Sequence, residues 1–169
     1  MTTAEARSGW TGTDWAGLYE AYAPDLARYL RRLVRNAEQA TDLAHETFVR
    51  AMRADRQPER ESEFRPWLYR IASNLAIDQL RRPRVFGLNA VFRSAEPPAV
   101  EEMDQVRTAL RSIPSDQAVA LVLAFHEGFS RREIAQILRV SEETVKSRIA
   151  RGRLNFAAAY RRLERGLAR

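Results

Sequence analysis

Lys146, Arg148, Arg151 and Arg153 fall within eight residues, with Ser147 and Ala150 between them. On a helix whose inner side carries Val145 and Ile149, the opposite face holds Glu143, Ser147, Ala150 and Arg151, flanked by Thr144 and Lys146. Small side chains let such a face approach base edges, and Arg151 and Lys146 can donate to guanine acceptors in a major groove. Arg148 and Arg153 lie at the flanks, where phosphate contacts set position rather than sequence. Leu154 falls on the same outer face and does not suit it. The elements upstream fit this reading. Ser130 to Glu133 has capping-box spacing, Ile134, Ala135, Ile137 and Leu138 share one face, Arg139 and Val140 form a tight turn, and Ser141 caps the next helix. Together they spell a helix-turn-helix, which reads duplex DNA.

Two other clusters carry chemistry. Phe64, Trp67 and Tyr69 interleave with Arg65, Arg70, Arg81 and Arg82. Aromatics among arginines suit unstacked single-stranded bases, although Phe64 and Trp67 fall on the apolar side, leaving Tyr69 and Asn74 outward. Glu38, Asp42 and Glu46 recur every four residues, with no lysine or arginine between Asn36 and Val49. Such a stripe is either a solvated face or a docking strip for a basic partner protein. Catalysis has little to work with. The chain has no cysteine and two histidines, His45 and His126, far apart. No nucleophile, base and orienter come together, so the expectation is no enzyme, no cofactor and no metal.

The charge is unevenly placed. The 169 residues carry +6, yet residues 130–169 alone carry +7, which points to a polyanion partner at one end. No apolar run reaches membrane-spanning length, and residues 1–13 lack a signal layout. A cytoplasmic protein follows as the expectation.

The elements needed to position these residues are all helical, so the predicted fold is all-α, with two small helical domains joined by a linker. Asp14 caps a first stripe from Trp15 to Val34, in which Pro24 predicts a kink or two abutting helices. A second helix is predicted over 37–54, with Met52 inward, and a third over 63–82, with Pro66 in its first turn. Residues 1–13 read as a flexible start, 14–83 as the first domain, 84–103 as the linker, 104–165 as the second domain and 166–169 as a tail. Val85, Phe86, Leu88, Val91 and Phe92 make the linker more apolar than a free tether requires. In the second domain Pro114 stops one helix, Ser115 caps the next, and Gly128 ends it.

Several stretches, in order, resemble the sigma-70 family. They are Asp42 to Ala51, Phe64 to Asp78, Ser130 to Leu138 and Ser141 to Ile149. The short two-domain layout is similar to the extracytoplasmic function group, and the resemblance covers roughly Asp14 to Leu163. It implies a sigma2-like and a sigma4-like domain, acting without chemistry of their own. It implies that Glu38, Asp42, Glu46 and Phe48 dock on core RNA polymerase. It implies that the loop before the third helix, with Phe64, Trp67, Arg70, Asn74 and Arg81, captures the single-stranded minus-10 element. Thr144, Lys146, Ser147, Arg148, Ala150, Arg151 and Arg153 would read the duplex minus-35 element. An anti-sigma factor is a further implied partner. The sequence departs from the usual pattern at His45, where glutamine is common, and at Ala150, where larger residues occur. No extra C-terminal domain is expected. The competing reading is a free-standing helix-turn-helix regulator that binds paired half-sites alone. A helical adaptor that binds only proteins is a third, opposed by the basic C-terminal quarter.

Overall fold

The computed structural model describes residues 14–82 and 101–167, in which seven helices and no strand occur. The expected flexible start at 1–13 and the linker's apolar residues lie outside the described residues. α1 spans Trp15–Leu33, and Asp14 caps it by accepting from the Gly17 amide at 3.0 Å. It runs through Pro24 as one helix, rather than as two abutting helices. An internal proline removes one backbone bond and costs about 3 kcal/mol. That cost is offset by Ala23, Leu26, Tyr29, Leu30 and Leu33, all buried along one stripe.

α2 spans Ala37–Met52 and is capped by Asn36, whose side chain accepts from the Gln39 amide. Ala40, Ala44, Thr47, Phe48 and Ala51 face α1, whereas Met52 is exposed at the helix end rather than inward. α3 spans Glu61–Arg81 and starts two residues earlier than the apolar pattern suggested. Pro66 therefore sits in its second turn, not its first. Phe64, Leu68, Ala72, Leu75 and Ala76 close the first core. Within it the Tyr29 hydroxyl and Ser73 Oγ lie 2.8 Å apart, and Ser73 donates to the Tyr69 carbonyl. Burial holds the Tyr29 hydroxyl protonated, with its pKa well above the usual phenol value.

α4 spans Glu101–Arg111, so the last three residues assigned to the linker are helical. α5 spans Ser115–Phe125. Pro114 rather than Ser115 takes its N-cap position, and no side chain bonds the free amides there. Val119, Val122 and Leu123 are buried, and Gly128 turns the chain with φ +72°. α6 spans Arg131–Leu138 and α7 spans Glu142–Leu167, a single helix that includes two residues assigned to the tail.

The two halves pack on each other. α3 lies against α5 and α6, and α1 against α4 and α5. Arg65 donates to the Glu127 carbonyl at 2.9 Å, Tyr69 donates to Glu127 Oε2 at 2.7 Å, and Arg111 donates to the Val34 carbonyl at 3.1 Å.

Candidate nucleic-acid interface

The helix-turn-helix is built as its sequence requires. Ser130 accepts from the Glu133 amide, and the Glu133 carboxylate accepts from the Ser130 amide and hydroxyl at 2.8 and 2.7 Å. These bonds hold the Glu133 carboxyl below its usual range. Ile134, Ala135 and Ile137 anchor α6 in the core. Arg139 takes the left-handed conformation, φ 53°, that ends α6. Ser141 then accepts from the Thr144 amide at 3.1 Å and starts α7. Gly152 lets α7 lie close on α5, since a Cβ there would stand 3.1 Å from Leu121 Cγ and 3.3 Å from Gln117 Cβ. Val145, wholly buried, fixes the rotation of α7.

That rotation presents Lys146, Ala150, Arg151 and Arg153 to solvent, with Ser147 half-buried. Lys146 pairs loosely with Glu143 at 3.6 Å across one turn. Thr144 is occupied by the cap, its hydroxyl 2.8 Å from that of Ser141. Arg148, expected at the phosphates, instead bonds Asp116 of α5 at 3.1 Å with a quarter of its side chain exposed. It braces α7 against α5, as does Asn155, which donates to Gln117. No local period could reveal partners on another helix. Leu154 is 73% exposed on the outer face, while Phe156 turns away and stacks on Tyr160.

α3 is arranged differently. Asn74 and Arg81 are exposed, but Phe64 is buried among Trp15, Tyr22 and Trp67, and Trp67 is 9% exposed. Tyr69, expected outward, is 1% exposed, because it meets Phe129 edge to face at 5.1 Å across the seam between the halves. Burial and the Glu127 carboxylate push its hydroxyl pKa up. Arg65 lies over the rings of Phe129 and Tyr69 at 4.1 and 5.1 Å. Trp67 and Arg70 line a cleft of about 420 Å³, opposite Glu133, Gln136 and Ile137 of α6. Partial burial, then the nearby Arg139, draws Arg70 below the ordinary guanidinium value.

On α2, Glu38 and Asp42 are exposed, and Glu46 bonds Arg50 at 2.8 Å, a pairing just beyond the stripe. Phe48, expected on the docking strip, is 3% exposed and packs under Tyr19 at 4.9 Å. His45 is exposed and stacks on Tyr19. Among the described residues no cluster of histidine and acidic residues could hold a metal ion, and no helix is long and apolar enough to cross a membrane.

Two family profiles match the chain in order: Sigma-70 region 2 over residues 18–85 and Sigma-70, region 4 over residues 103–156. The ECF RNA polymerase sigma factor SigE of Mycolicibacterium smegmatis is 35% identical over 151 residues, 82% of this chain and 58% of that relative's length. The ECF RNA polymerase sigma factor SigM of Mycobacterium tuberculosis is 32% identical over 154 residues, 89% of this chain and 79% of the relative. Among solved structures, the complex of the sigma factor RpoE with the anti-sigma factor NepR from Bartonella quintana shares the fold. Its TM-score is 0.67 at 24% identity, covering 88% of this chain and 97% of that one.

Proposed function

This chain belongs to the extracytoplasmic function group of the sigma-70 family, and we propose that it directs core RNA polymerase to promoters as an alternative sigma factor. The free outer face of α7 carries the proposal. Lys146, Ala150 and Arg151 face solvent beside half-buried Ser147, with Lys146 only loosely paired to Glu143, on a helix held by two caps and a close α5–α7 approach. That is a rigid duplex reader for a minus-35 element. Arg153 serves the phosphates, and Thr144 and Arg148 hold the reader in place. Trp67, Arg70, Asn74 and Arg81 on α3 take the unstacked minus-10 strand, with Phe64 supporting Trp67 from below.

Glu38, Asp42 and Glu46 form the docking strip for a basic surface of the polymerase. The chain makes and breaks no bonds, so catalysis and its metal belong to the polymerase. Neither DNA contact need be tight alone, because tethering both to the polymerase raises their effective concentration. The protein works in the cytoplasm, and an anti-sigma factor is its expected regulator. A free-standing regulator leaves the acidic strip and the aromatic helix without a role.

Gel shift and run-off transcription with and without core polymerase test this. Promoter-specific transcripts should appear only when both are present. Tight operator binding by the chain alone, with no co-elution with polymerase, would overturn the proposal.

A further inference from the structure

Leu154 is a large apolar side chain on a polar face. It is 73% exposed in the middle of α7. Met52, Met103 and Phe125, the other large apolar side chains left exposed among the described residues, all lie in the first or last turn of a helix. α7 continues as one helix well past Leu154, and its inner side is already taken. Val145 is buried, Gly152 rests on Leu121 and Gln117, and Asn155 donates to Gln117.

Opposite that inner side, Ser147, Ala150, Arg151 and Leu154 stand at i, i+3, i+4 and i+7, one stripe over two turns. A helix lying along a major groove presents four side chains to base edges at this same spacing. The rise from Ser147 to Leu154 is about 10 Å, or roughly three base-pair steps. Leucine has neither donor nor acceptor, and the C5-methyl of thymine is the apolar substituent that the major groove displays. A long side chain on a helix leans toward the N-terminus, here over the turn of Ala150, whose own side chain is a single methyl. We infer that Leu154 is a specificity-determining residue of the duplex reader, and that with Ala150 it forms an apolar step that packs on the C5-methyl of one thymine in the minus-35 element. Cytosine is rejected at that place, because it lacks the methyl and brings an amine that neither side chain can pair.

The inference rests on the reading of α7 as the duplex reader, and the experiment separates the two. The full chain with core polymerase is offered a duplex pool randomised through both promoter elements, and the bound duplexes are sequenced. The enriched duplex is then remade with single substitutions and titrated. Uracil in place of thymine keeps every hydrogen-bonding group and removes only the methyl. 5-Methylcytosine in place of cytosine restores the methyl alone.

The wild-type complex should enrich one minus-35 sequence, and uracil at one of its thymines should weaken binding by about fourfold, the worth of one buried methyl. At that place 5-methylcytosine should bind more tightly than cytosine. Leu154→Ala should lose both effects and keep the preferences at the other positions, whereas Leu154→Met, of similar volume, should retain both. Arg151→Ala should relax a different position and leave the methyl effect intact. No enriched minus-35 sequence with the wild-type complex overturns the duplex reader and the role of Leu154 together. An enriched sequence without a methyl-dependent thymine, or a methyl effect that survives Leu154→Ala, overturns the inference alone. Equal loss of promoter output by Leu154→Ala on thymine and uracil duplexes assigns the side chain to a protein contact and overturns it too.

Discussion

Gly152 shows how much one residue decides for the duplex reader. With no Cβ it lets α7 rest on Leu121 and Gln117, and so sets the depth at which Lys146 and Arg151 project. Gly152→Ala would place a methyl inside that contact, and overpacking of this kind costs about 1–3 kcal/mol. Urea denaturation should register the loss. Arg151 sits on the same helix with no such structural duty, being exposed and outward. Arg151→Ala should therefore leave stability and polymerase binding intact and weaken minus-35 duplex recognition by about 1–3 kcal/mol, read by promoter titration with the holoenzyme. Arg148 is the contrasting case. Its position in the helical period matched a phosphate contact, but Asp116 on α5 claims it. Sequence spacing reports which residues share a face. It cannot report a partner brought in by another helix.

At the scale of elements, local chemistry was largely legible. The caps at Asp14, Ser130 and Ser141 form as their residue types require, because each bond closes within three residues. Ser130→Ala should cost about 1 kcal/mol and speed hydrogen exchange across α6 more than across α5. The reciprocal bond also makes α6 sensitive to acid. The folded state holds the Glu133 carboxyl below the usual glutamate range, so its contribution is present above that range and fades as acid protonates it in the folded chain. Glu133→Gln should flatten the acid limb of a stability-against-pH curve. Less legible were Pro24, Met52 and Tyr69. The helix survives Pro24 because tertiary burial of Leu26 and Tyr29 outweighs one lost backbone bond. Tyr69 is inward because Glu127 and Phe129 reach it from the second half. Such partners are set by how the halves meet, which no single period encodes.

At the scale of the whole molecule, the seam between the halves carries a second titratable group. His126 caps α5 and faces Arg32 of α1. Its own element supplies the neighbouring Glu127, and Arg153 of α7 lines the same apolar cleft. Burial, then the positive charge of Arg32, lowers the His126 pKa below 6.5, against a smaller opposing pull from Glu127. Separation of the halves removes Arg32 and restores water, so the open state binds the proton more tightly. Closure is accordingly favoured above the ordinary histidine range and loses ground as pH falls through it toward the lower closed-state value. Energy transfer between dyes at Arg53→Cys and Arg161→Cys should decrease between pH 7.5 and pH 5.5. His126→Gln should remove most of that dependence while keeping high transfer at neutral pH. Arg32→Gln should shrink it, because the proton then meets one like charge fewer. Glu133 does not confuse the result, since its titration lies at lower pH. A transfer signal flat over this range in the parent chain would refute the assignment of His126 to the seam's pH response.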